Sequence, residues 1–111
     1  MATEEQPGYH LLLEPEEVGV AASALRLLIS DEAHEPLIRG LAREVIENLA
    51  AAPDERGRVT LALTPQQMKI THSATRLLLN DLQRGQAEER ETLRSILEKL
   101  PDEHVMRAIQ L

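Results

Sequence analysis

Sliding the chain against itself by fifty positions brings residues 11–31 onto 61–81, and nine of the twenty-one aligned positions are identical. They are Leu11/Leu61, Leu13/Leu63, Pro15/Pro65, Ser23/Ser73, Ala24/Ala74, Arg26/Arg76, Leu27/Leu77, Leu28/Leu78 and Asp31/Asp81. Leucine richness explains a few of these matches, but not the shared Pro, Ser, Arg and Asp. The following halves align after a one-residue slip, Val45-Ile46-Glu47 on Ile96-Leu97-Glu98 and Leu49 on Leu100. Each then reaches Pro-Asp-Glu, at Pro53 and at Pro101. Such a period makes each copy one supersecondary unit, and the fold is decided by how two units bury their apolar faces against each other.

Each copy opens with a strand pattern. Residues 57–63 place Val59, Leu61 and Leu63 on one side, and residues 9–13 are the counterpart, apolar on both sides. A lone strand leaves its backbone donors and acceptors unpaired, so the two strands are expected to pair. A pseudo-two-fold between the copies makes that pair antiparallel. A helix follows each strand. Thr64-Pro65-Gln66-Gln67 supplies an N-cap, a proline at the first helical position and a glutamine at the third. Glu14-Pro15-Glu16-Glu17 is a poorer cap whose acids suit the positive end of the helix dipole. Helix three is expected to end near Arg84, with Gly85 as a left-handed stop, and helices two and four to span about 36–50 and 86–100.

Single apolar stripes (Leu37, Ile38, Leu41, Val45 and Leu49 in helix two; Leu93, Ile96, Leu97 and Leu100 in helix four) belong to helices covered on one side. Helix one is broader: Val20, Ala24, Leu27 and Leu28 form one face, and Val18, Ala22, Leu25 and Ile29 a second beside it. Helices one and three are therefore expected at the centre. The copies differ on that second face, where Ala21, Ala22 and Leu25 stand against Thr71, His72 and Thr75. The extra face of helix one is either buried within the chain or meets another molecule. Val105, Met106 and Ile109 fit a short closing helix, with a third strand as the alternative.

The expected fold class is mainly α, a tandem duplication of a strand-helix-helix unit giving a four-helix bundle with a small two-stranded antiparallel sheet. One domain is expected over residues 1–111, with repeat 1 at about 9–50, repeat 2 at about 58–100 and a C-terminal segment at 101–111.

Composition narrows the chemistry. The chain has no cysteine, so disulfides and thiolate chemistry are excluded, and Tyr9 is its one aromatic residue, leaving little to stack on bases or sugars. No apolar run approaches the roughly 20 residues that cross a bilayer, and the first eight residues lack a secretion-signal pattern, so a cytoplasmic location is expected. Asp31-Glu32-Ala33-His34 spells a helicase box, but no phosphate-binding glycine loop accompanies it. His10, His34, His72 and His104 do not fall at the Glu-x-x-His spacing of a bundle metal site, so neither metal nor cofactor is expected. Ser23 and Ser73 read as small residues for close helix packing, and Glu16-Glu17, Asp31-Glu32 and Glu88-Glu89 as solvated helix ends. Arg26 and Arg76 recur at equivalent places, as a pair of anion contacts or as surface salt bridges.

The net charge of −7 is one-sided. Residues 1–50 hold ten acids and three bases, whereas residues 51–111 hold nine of each. A negative first half repels nucleic acid and anionic membranes and attracts a basic protein surface. The expected function is thus a non-catalytic protein-interaction or regulatory module, binding a partner protein, basic in character, or a second copy as a homodimer. Glu16, Glu17, Leu25, Ile29, Asp31, Glu32 and Glu35 are the candidate contact residues. The alternatives are a small-ligand protein or enzyme with a pocket between the repeats near His72, and an acidic mimic of nucleic acid.

Overall fold

The computed structural model describes residues 9–30, 35–50, 53–82 and 86–109. In chain order these form β1 (Tyr9–Leu13), α1 (Pro15–Ser30), α2 (Pro36–Leu49), β2 (Val59–Leu63), α3 (Pro65–Asp81), α4 (Ala87–Lys99) and α5 (Glu103–Ala108). The chain is mainly helical, and β1 and β2 pair antiparallel in a two-stranded sheet.

The sheet register places Tyr9 opposite Leu63, Leu11 opposite Leu61 and Leu13 opposite Val59. Because side chains alternate across a strand, this register turns Leu11, Leu13, Val59, Leu61 and Leu63 into the core together. His10, Leu12, Thr60 and Ala62 face outward. A tight turn feeds β2. The Asp54 carboxylate accepts the backbone N–H groups of Arg56 and Arg58 and the Arg58 Nε–H, at 2.9, 2.9 and 3.0 Å. The backbone bond from Arg58 is the main reason its carboxyl lies below the ordinary 3.8. Gly57 closes this turn at φ +81°, and a Cβ there would stand 3.1 Å from the Pro15 ring.

The two helices that follow the strands start differently. α3 has the expected reciprocal cap: Thr64 Oγ1 accepts from Gln67 N–H, and Gln67 Oε1 accepts from Thr64 N–H, both at 3.1 Å. α1 lacks a hydroxyl at that place, and Glu17 alone reaches back to accept the Glu14 N–H at 2.8 Å. α1 and α3 pack on each other, and each also packs on α2 and α4. The core is filled by Ala21, Ala24, Leu25 and Leu28 of α1, by Leu41, Ala42, Val45 and Leu49 of α2, by Met68, Ile70 and Ala74 of α3, and by Leu93 and Ile96 of α4. Each large aliphatic chain among them contributes about 1.5–3 kcal/mol by leaving water.

Several expectations are corrected. α3 stops at Asp81, with Leu82 already extended, short of the expected Arg84; Gly85 lies outside the described residues. Ser23 and Ser73 are exposed instead of packed between helices. Residues 103–108 form the short closing helix the sequence offered, and not the alternative third strand. Pro101 ends α4, Asp102 Oδ1 accepts from Val105 N–H at 3.1 Å, and Met106 is 3% exposed against the core. Among the described residues, no helix is long and apolar enough to cross a membrane.

Candidate functional site

Two of the residues proposed from sequence as a contact surface, Glu17 and Leu25, are buried. Leu25 is 1% exposed and belongs to the core, whereas Val18 and Ala22 of the same face are only half-buried. Ile29 is half-buried against the same core. Glu17, read as a solvated helix end, is 3% exposed. Its Oε2 accepts from Ser95 Oγ at 2.6 Å, and its Oε1 pairs with Lys99 Nζ, which also donates to the Leu12 carbonyl at 3.0 Å. Burial raises the Glu17 pKa, but the bonds from Lys99, Ser95 and the Glu14 backbone outweigh it and hold the carboxyl below 4.5. Glu16 and Glu35 are exposed, and Asp31 and Glu32 lie outside the described residues. So one of the acids joins β1, α1 and α4, and is not available to a partner.

Thr71 and Thr75, expected to line a pocket with His72, turn their hydroxyls back onto their own helix. Thr71 Oγ1 donates to the Gln67 carbonyl at 2.9 Å and Thr75 Oγ1 to the Thr71 carbonyl at 2.7 Å. Both are 1% exposed, and the local bonds satisfy groups that burial would otherwise leave unpaired.

His72 does border a concavity. A groove of about 400 Å³ runs between α3 and α5, with Leu28 of α1 at its inner side. Lys69, His72, Ser73, Arg76, Leu77 and Asn80 come from α3, and Glu103, Met106 and Arg107 from α5. The spacing of the α3 residues explains their meeting, since positions three and four apart lie on one helical face. Arg76 and Arg107 both bond the Glu103 carboxylate, at 2.9 and 3.0 Å. This pair of guanidiniums, with the Arg107 bond foremost, keeps the Glu103 carboxyl below 4.5. Lys69 donates to the Ile109 carbonyl at 2.6 Å and has no carboxylate partner among the described residues. Among the described residues, one acid thus faces three cations.

His72 is 7% exposed. Burial, then the positive field of Arg76, lowers its pKa below 6.5, with Glu103 opposing, so the imidazole is neutral at pH 7. It makes no hydrogen bond to a hydroxyl or carboxylate among the described residues, although Ser73 is its neighbour in sequence. Nor do three His, Asp or Glu side chains gather as metal ligands among those residues. The groove can hold and orient an anionic or apolar group; among the described residues it has no assembled proton relay.

Sequence reasoning found His72 and Arg76 but missed Lys69, Glu103 and Arg107. A signal for Lys69 was present: at the fifty-residue offset it aligns with Gly19, as His72 aligns with Ala22. The α5 pair was hidden because the tail admitted both helix and strand. Comparison with family models, with curated proteins and with solved structures finds no match to this chain.

Proposed function

We propose that the protein is a non-catalytic binding module whose recognition site is the groove between α3 and α5. The observation that carries this reading is the gathering of Lys69, Arg76 and Arg107 around one concavity in a chain of net charge −7. Its volume, about 400 Å³, is within the range of roughly 300–1,000 Å³ of small-molecule sites, and it combines apolar walls with a few convergent polar groups. The isolated imidazole of His72 speaks for binding over catalysis, because an activated nucleophile needs a base within hydrogen-bond reach. This reading takes up the alternative offered by the sequence, a small-ligand protein with a pocket near His72, in place of the protein-interaction module expected on the acidic first half.

The same reading treats the chain as a tandem duplication, with α1–α4 as a four-helix bundle and α5 added to the second copy. Two features support it. Leu11 lies opposite Leu61, its counterpart at the fifty-residue offset, as a local two-fold through the sheet requires. Glu17 bonds Ser95, and Gln67 Nε2 donates to Glu44 at 3.0 Å. Glu17 and Gln67 are fifty apart, and Glu44 and Ser95 fifty-one apart, the offset at which the second halves align.

A basic partner on the acidic first half is the second reading. It is favoured by Leu37, which is 53% exposed two residues after the exposed Glu35. Self-association through Leu25 is not carried forward, since that side chain is in the core.

Amide NMR spectra of the full chain, recorded with a fragment mixture of anions, cations and neutral compounds, separate the readings. Shifts gathered on Ser73, Leu77 and Met106 are expected. Shifts gathered around Glu16, Glu35 and Leu37, with the groove silent, would overturn the proposal.

A further inference from the structure

The groove has two chemistries. Arg76 and Lys69 offer positive charge, while half-buried Leu77 joins the buried Leu28 and Met106 in an apolar lining. We infer that its ligand is a small amphiphilic anion: a carboxylate or phosphate head placed against Arg76 and Lys69, and a short apolar body lying over Leu28, Leu77 and Met106. This rests on the groove being the binding site, as proposed above.

The hydrogen-bond pattern carries the inference. The Glu103 carboxylate already bonds Arg76 at 2.9 Å, so the chain itself shows that this guanidinium accepts an anionic oxygen at the groove. Arg76 and Glu103 are each about half exposed, at 49% and 50%, so the contact is solvated and readily exchanged for another anion. Arg107 holds the other Glu103 oxygen at 3.0 Å, four residues along the same helix. Glu103 can therefore swing to Arg107 alone and release Arg76 to a ligand. Lys69 supplies a second positive charge with no carboxylate partner among the described residues. A fork of planar N–H donors suits carboxylate and phosphate oxygens, and a nearby ammonium adds charge without fixed geometry. The neutral His72 ring completes the wall and can donate one N–H to the head group.

A series of six-carbon probes isolates the head group: hexyl phosphate, hexanoate, hexanol and hexylamine, titrated into the full chain and followed by amide NMR. Hexyl phosphate and hexanoate are expected to shift Ser73, Leu77 and Met106 saturably, at least tenfold more tightly than hexanol, with hexylamine weakest. The ranking of phosphate against carboxylate then tells which head group the site favours. Arg76→Gln is expected to weaken hexyl phosphate at least tenfold. Glu103→Gln is expected to strengthen it severalfold, since the internal competitor loses its charge. Because Arg76 and Glu103 are half exposed, both variants are expected to fold, and their unperturbed spectra check this. If hexanol and hexylamine bind in the groove as tightly as the anions, the anion inference fails while the groove remains the site. If Glu103→Gln weakens hexyl phosphate, the displacement idea fails. If no probe moves the groove amides, the reading of the groove itself falls.

Discussion

Two grooves border α1 and α3 at positions fifty residues apart, and they differ. The first is lined by Val18, Gly19, Ala22 and Arg26, with Ile46, Leu49 and Ala50 of the α2 end beside it. Fifty positions on, the α3 face carries Lys69, His72 and Arg76, and α5 stands over it. The arginine is common to both. At the fifty-residue offset Lys69 stands against Gly19 and His72 against Ala22, and α5 brings Glu103, Met106 and Arg107. The face on α1 is small and apolar apart from Arg26, whereas the face on α3 is cationic and roofed. The helical scaffold tolerates both, because positions three and four apart share a face without contributing to the opposite, core-facing side.

The largest expected effect comes from removing the roof. Met106→Ala takes a side chain that is 3% exposed out of the core, at a loss of about 2–3 kcal/mol in urea unfolding. Hexyl phosphate binding should fall with it, making the second groove as open as the first. Next comes the start of α1. Glu17→Gln keeps the shape but removes the charge that Lys99 and Ser95 surround, and about 1–2 kcal/mol is expected to go, less than for a fully buried pair because Lys99 is a third exposed.

A paired substitution sharpens the contrast between the grooves themselves. Gly19→Ala and Lys69→Ala put the same residue at corresponding positions. A Cβ at Gly19 meets nothing within 4 Å, so the first change should stabilise by about 0.5–1 kcal/mol, read as a higher unfolding midpoint. The second loses the bond to the Ile109 carbonyl and should cost at most about 1 kcal/mol, while weakening hexyl phosphate several times over. Destabilisation by Gly19→Ala would contradict the open space around this position.

The smallest effect is in the pH dependence. His72 has a folded pKa below 6.5, so the unfolded chain binds more protons as pH drops under that value. Stability therefore declines as pH falls from 6.5 toward the folded pKa, and levels off below it. Glu17 adds a second decline as pH falls from 4.5 through its lowered pKa. Urea midpoints between pH 7.5 and 5.5 should show the first slope, and His72→Gln should abolish it; an unchanged slope would place its origin elsewhere.

The legible parts of this molecule are those set by local pattern. Alternation in Val59, Leu61 and Leu63, and the cap residues Thr64, Pro65 and Gln67, specify β2 and the start of α3 without reference to the rest of the chain. The apolar breadth of α1 points to its inner place, and α1 does pack on α2, α3 and α4, although its buried apolar residues Ala21, Ala24, Leu25 and Leu28 form a single stripe. The fate of single polar residues was not legible. Glu16 and Glu17 are adjacent and chemically alike, yet one is exposed and the other meets Lys99 from a helix more than eighty residues away. The groove was half legible for the same reason. His72 and Arg76 share a helix, whereas Glu103 and Arg107 join them only once Pro101 turns the chain back.

A crystal structure of the full chain with hexyl phosphate compares the two grooves most directly. The phosphate is expected within hydrogen-bond distance of Arg76 and close to Lys69, with the hexyl chain over Leu77 and Met106 and Glu103 turned to Arg107. Density beside Gly19 and Ala22 instead, with Glu103 still bonded to Arg76, would contradict the assignment of binding to the α3–α5 groove.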